Sequence, residues 1–444
     1  MLAKPFLFQE CRNVEELLAS TLQYEYGIEG SRAFFDECSV RLAMLRETLE
    51  VTDEADAEAL QAIGERLVDL ADLICRIERS ALGAHSWPFV DQLKRVALAC
   101  CNDRGISGIK PLIHVISEGG LDGYAMNPEM ADPGYRHRRV LTIVLPRSAR
   151  HHVLLHSILG HEVGHAMYRC SEHQGALDAD VLNVLQDGVF ASEDSVADHI
   201  YDAAAPHEVQ TFTKRLQNDR GVDRKLLFAW ARFDPWIEEV LCDLVGLLTF
   251  GPSFIAATCD LLSATFPSGA EFGRDHPPPG WRINTLLRCA TILGLDALPP
   301  PAHPRFADLQ RFWERMKARR RTASWYDVFT DAQLNGAVTS IQELLSRLPP
   351  ASYRVASYDL LDHLLGQLER DVPPTGFTLD ARGRPTSQSV DFRHIIFAGW
   401  INCQGRKDDE FERVNLLCEH GMLQQAAIEL TLKRKPAAEP RMLV

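Results

Sequence analysis

Residues four apart on an α-helix lie on one face, about one turn from each other. His161-Glu162-Val163-Gly164-His165 has that spacing, inside the stretch His152–Tyr168, which is apolar apart from its histidines and Glu162. His161 and His165 can therefore aim imidazole nitrogens at one metal ion. Glu162 projects beside them toward a bound water, as a general base rather than a ligand. The chemistry expected of such a pattern is hydrolysis assisted by one Zn2+ per chain. Gly164 leaves room for close backbone packing. The plainer alternative is a helix whose buried histidines are simply hydrogen-bonded.

Catalytic zinc normally takes three protein ligands and leaves a position open for water, so a third ligand is expected downstream. Trp236-Ile237-Glu238-Glu239-Val240-Leu241-Cys242-Asp243 supplies it. Glu239 and Asp243 are again four apart. Glu239 is the expected ligand, and Asp243 the acceptor for the far nitrogen of a ligating histidine. Glu238 is the competing ligand, with Cys242 at the matching offset. An unpaired Asp243 inside an apolar run would be costly, which disfavours two acids on an ordinary helix. Farther on, His276 stands before Pro277-Pro278-Pro279, a rigid setting for a hydrogen-bond donor to a developing oxyanion, and Arg282-Ile283 follows.

Elements that could position these residues are legible on either side. From about Asn13 to Leu82 the apolar residues fall at helical spacing, which predicts two or three packed helices as a scaffold. After a helix from Phe89, Pro111–Gly120 and Arg138–Pro146 are strand-like, with Gly123–Pro128 as a short edge segment between them. The edge segment is expected to pair with an extended substrate as an added strand. A helix from Ser148 to about Cys170 then carries the HExxH, and a small sheet followed by such a helix is the order zincin domains use. Turns are expected near Gly175 and Gly221, a helix stop at Gly251-Pro252, a rigid boundary at Pro299–Pro304, and a disordered patch at Asp380–Val390. The fold class is α+β, mostly α: a helical region over 1–85, a zincin-like metallopeptidase domain over 86–297, and a mainly helical region over 298–444.

Taken in order, HExxH, ExxxD (Glu239 to Asp243) and HPxxxxRI (His276 to Ile283) resemble HtpX and the CAAX prenyl proteases with their soluble relatives, zinc peptidases of the gluzincin type. The resemblance covers about Trp87 to Leu293. It implies zinc held by His161, His165 and Glu239, Glu162 as base, and a cleft lined by His276 and Arg282, one of which helps to stabilise the oxyanion. Most members of that family carry transmembrane helices or an export signal. This sequence has neither pattern, and its helical flanks have no counterpart there.

Composition narrows the partners. A formal net charge of −14 argues against nucleic acid. The longest apolar stretch, Leu244–Cys259, is shorter than the roughly 20 residues a bilayer requires and is broken by Gly251-Pro252, so no membrane partner is expected. The 11 scattered cysteines suit a reducing compartment, and the chain is read as cytoplasmic. The expected partner is a peptide or protein substrate, together with a regulatory protein acting through the helical flanks. Two other functions compete with an active peptidase: an interaction or regulatory protein that keeps a zincin fold without proteolysis, and a latent protease effector that a partner activates.

Overall fold

The computed structural model describes residues 4–22, 31–78, 85–101, 111–119, 123–128, 140–191, 224–265, 276–320, 327–383, 385–388, 390–403 and 408–433. The chain is mostly α and forms two compact units, 1–150 and 151–444.

In the first unit, helices α1 (Lys4–Thr21), α2 (Ser31–Val51) and α3 (Ala57–Glu78) pack on one another. Each buries residues three or four apart: Leu7, Cys11, Val14 and Leu18 from α1; Cys38, Leu42, Leu45 and Leu49 from α2; Leu60, Ile63, Leu67, Leu70 and Ile74 from α3. Leu112 and Val140 belong to the same core. They open strands β1 (Leu112–Ser117) and β3 (Val140–Leu145), which follow helix α4 (Trp87–Cys100). β1 and β3 run parallel, and β2 (Ala125–Pro128) pairs antiparallel with β3, giving the order β1-β3-β2. The edge segment expected at Gly123–Pro128 is thus an edge strand.

Among its described residues the second unit is helical apart from one hairpin. Helix α5 (Leu159–Tyr168) carries the HExxH, and α6 (Ser171–Leu177) runs through a π-helical turn at Asp178–Leu182 into α7 (Asn183–Ala191). Then come α8 (Arg224–Phe250), α9 (Pro252–Thr265), α10 (Pro279–Ile292), α11 (Phe306–Lys317), α12 (Asp331–Ser346) and α13 (Tyr358–Leu368). Strands β4 (Phe377–Leu379) and β5 (Pro385–Ser387) form the hairpin, and α14 (Phe392–Asn402) and α15 (Asp408–Lys433) close the unit. The stop expected at Gly251-Pro252 is present: Gly251 has φ +62°, a left-handed conformation that ends α8. Among the described residues no helix is long and apolar enough to cross a membrane.

Three expectations need correction. The HExxH helix does not begin at Ser148. Short 3-10 turns at Arg147–Ala149 and Leu155–Ile158 precede α5, and around Leu154 side chains satisfy the backbone that a longer helix would have bonded to itself. Gly175 makes no turn; it lies within α6, where burial of His173 and Leu177 holds the helix across it. In Asp380–Val390 the described residues, 380–383, 385–388 and 390, belong to or flank an ordered hairpin rather than a disordered patch; 384 and 389 lie outside the described residues. The Gly376 N–H donates to Gln425 Oε1 (2.8 Å), fastening the hairpin to α15, and the Gln388 N–H donates to the Gly376 carbonyl (2.8 Å), closing the hairpin's base. Gly383 turns it with φ +72°. Local composition carries no sign of the bond to Gln425, which lies 49 positions from Gly376. Gly221, most of the insert after residue 191, and the tail after 433 lie outside the described residues.

Candidate metal centre

Helices α5 and α8 approach unusually closely, and two glycines permit it. A Cβ on Gly164 would stand 2.6 Å from the Cys242 Cα, and one on Gly160 would stand 2.8 Å from the Gly246 Cα. Glycines four apart face Cys242 and Gly246, also four apart, so the backbones meet closely, bordered by the Phe250 ring and the Cys242 Cβ. Gly164→Ala is therefore expected to force the helices apart, at a cost of about 1–3 kcal/mol in unfolding free energy and with weaker zinc binding. A denaturant midpoint equal to wild type would show that the contact can relax.

That approach brings the residues singled out in the sequence onto one spot. His161 Nε2 lies 3.2 Å from Glu239 Oε2, and His165 Nε2 lies 3.1 Å from Glu239 Oε1. Ligand atoms of all three residues lie within 4.8 Å of one another. At zinc–ligand distances of about 2.0–2.2 Å, tetrahedral ligands stand about 3.3–3.5 Å apart, so the spacing is close to what one ion would need. Glu239 Oε2 is buried and accepts no well-directed hydrogen bond, with the His161 imidazole 3.2 Å and Arg282 Nη1 3.7 Å away. Two imidazoles and a carboxylate at this spacing are a donor set that fits a zinc ion.

The opposite nitrogens are held by carboxylates. His161 Nδ1 is 2.9 Å from Asp243 Oδ1, and His165 Nδ1 is 2.9 Å from Glu238 Oε1. An ionised carboxylate only accepts, so each Nδ1 carries the proton, which turns the Nε2 lone pairs toward Glu239 when the rings are neutral. Asp243 was expected in this role; Glu238, weighed only as a competing ligand, serves the second histidine. Its signal was the Glu238-Glu239 doublet, since neighbours on a helix are about 100° apart and can reach different sides of a histidine pair.

Arg282 and His276 arrive on either side of this cluster. The Arg282 guanidinium donates to both oxygens of Asp243, at 2.7 and 2.6 Å, and Nη1 is 3.7 Å from Glu239 Oε2. It is buried, with 7% of its surface exposed. His276 is exposed at the rim, with Nε2 3.6 Å from Glu239 Oε2. Glu162 is half-buried on α5, and its charge acts on His165.

The electrostatics reflect a cluster of acids and bases closed on itself. Burial and Arg282 both favour neutral His161, but the carboxylates of Asp243 and Glu239 outweigh them and raise its pKa to about 10. At His165 burial is outweighed by Glu238 and Glu239, and the pKa rises to about 9. Burial would raise the Glu239 pKa, yet the two histidines hold it far below the usual carboxylate range. A raised histidine pKa means that the folded chain binds the proton more tightly than the unfolded one. That stabilisation is complete below the unfolded value of about 6.5 and is lost as pH climbs through the folded values. The metal-free protein should accordingly lose stability between about pH 7 and pH 10, and zinc, which requires neutral imidazoles, should abolish that dependence. Thermal unfolding across this range with and without zinc measures it; a flat metal-free profile would contradict the ion pairing.

No protein-family model matches this chain, and neither a curated protein nor a solved structure matches it.

Proposed function

We propose that this chain is a zinc-dependent peptidase of the gluzincin type, hydrolysing peptide bonds in a peptide or protein substrate. The observation that carries this reading is the double anchoring of the histidines: both Nε2 atoms meet on Glu239 while Asp243 and Glu238 hold the two Nδ1 atoms. Buried histidines satisfied for packing alone would not need a shared carboxylate as well.

His161, His165 and Glu239 would hold the ion. Bound zinc would supply Lewis acidity, polarising a scissile carbonyl and lowering the pKa of water. Glu162, on the helix turn between the histidines, accepts the proton of the attacking water and passes it to the leaving amine. His276, at the exposed rim, is placed to donate to an oxyanion developing near the Glu239 side of the site. Arg282 spends its planar fork on Asp243, which in turn fixes the tautomer and direction of His161.

Purified full-length protein should carry one zinc per chain by elemental analysis and should cleave an unfolded protein substrate. A chelator should remove both the metal and the cleavage, and stoichiometric zinc should restore them. Cleavage that survives complete metal removal would exclude this mechanism. Stoichiometric zinc without cleavage of any of a broad set of unfolded substrates would favour the non-proteolytic or latent readings.

A further inference from the structure

The glycine-lined contact that brings α5 close to α8 sets the distance between the two helices. Gly160 faces Gly246 and the Phe250 ring, and Gly164 faces Cys242, so only one large side chain borders the contact at these two glycines. A rotation of one residue is about 100°, enough to swing His161 away from Glu239. The carboxylate contacts of His161 and His165 resist such a rotation, and the segment leading into α5, which is not itself a regular helix, supplies a second hold.

That segment is gripped at Leu154, seven positions before His161. The buried Leu154 N–H donates to Asn415 Oδ1 of α15 (3.1 Å), and the Leu154 carbonyl accepts from Trp400 Nε1 of α14 (3.1 Å). Asn415 is itself oriented, because its Nδ2 donates to the Phe411 carbonyl (3.1 Å). The side chain is clamped too, since a Cβ on Gly399 would stand 2.5 Å from Leu154 Cδ2. One turn on, Ser157 Oγ bridges the carbonyls of Leu154 and Ser253 (2.9 and 3.0 Å), tying the lead-in to α9. Donor and acceptor of one peptide residue are thus both held by side chains more than 240 positions away in the chain.

We propose that Asn415 and Trp400 are positioning residues for the metal centre: through Leu154 they set the register of α5, and so the approach of His161 and His165 to Glu239. The proposal rests on the metal-site reading above and gives the carboxy-terminal helices a part in the site. Neither residue touches the cluster; both act through the backbone of the segment leading into α5.

The test is a Zn2+ titration of the full-length protein against a competing chelator, with the visible spectrum of the Co2+-loaded form as second readout. Asn415→Leu removes the acceptor at similar size, and Trp400→Phe is the milder change, keeping the ring and losing the N–H. Leu368→Ala, a fully buried position at the end of α13, serves as a destabilised control. Zinc affinity is expected to fall about tenfold in Asn415→Leu and less in Trp400→Phe, both with an altered Co2+ spectrum, while the control keeps wild-type affinity and spectrum. Wild-type affinity and spectrum in both clamp variants would overturn the proposal, as would an equal loss of affinity in the control. Failure of the wild-type protein to bind either metal would instead remove the metal-site reading, and this inference with it.

Discussion

Glu162→Gln should lower peptide hydrolysis by about 10²–10⁴-fold while leaving zinc content unchanged. Glutamine matches glutamate in size and can still orient a water by hydrogen bonding, but it cannot take up a proton. The metal should stay because the proposed ligands are His161, His165 and Glu239, and Glu162 is in neither group of residues that could hold an ion. The histidines are also held from behind by Asp243 and Glu238, independently of Glu162. Elemental analysis and turnover of the same preparation separate the two effects. Wild-type turnover in this variant would remove Glu162 from the mechanism. Loss of zinc along with turnover would mean that it helps to hold the ion.

Arg282→Ala is expected to cost about 3–5 kcal/mol of stability, the largest such effect at the site. Asp243 is 1% exposed, and Arg282 satisfies both of its oxygens. Burial opposes the ionised carboxylate, and Arg282 with His161 holds its pKa below the ordinary value regardless. Without the guanidinium the carboxylate is buried with only His161 to answer it. Lysine should rescue little, since one ammonium cannot reproduce a two-pronged contact. Pairing the change with Asp243→Asn should cost less than the sum of the two single variants, because the stranded charge is then gone. Denaturant midpoints of the four proteins test this, and additive losses would show that the pair is not coupled.

What the residue spacing could reveal about the site was whatever lies within one helix. His161 and His165 four apart, and Glu239 and Asp243 four apart, each define a helix face before any tertiary contact is known. Glu238 escaped because its partner, His165, lies on another helix, and only the rotation of α5 against α8 decides which acid meets which histidine. Arg282 and His276 share one sequence motif, yet they reach different places: one is buried against Asp243, the other exposed at the rim beside Glu239. The order of side chains along a loop and the helix after it carries no information about that separation.

The start of α5 and the hairpin at Phe377–Ser387 depart from local expectation for one reason. Leu154 leaves the helical pattern because Asn415 and Trp400 satisfy its backbone, and the hairpin is fastened by Gln425. Local propensity describes competition between a segment and water, and here the winning partners come from elsewhere in the chain.

For the HExxH helix this divides the determinants cleanly. Sequence alone determined a mostly α chain, a helix face with two histidines and a carboxylate between them, and a third acid worth pairing with them. Whether those groups could share one ion depended on a backbone approach that only glycine at 160 and 164 allows. It depended equally on a register set by contacts at Leu154, more than 240 positions from Asn415 and Trp400. Spacing along a helix is set by backbone geometry and can be read from residue order. The distance between two helices is set by what packs between them, and that exists only in the folded chain.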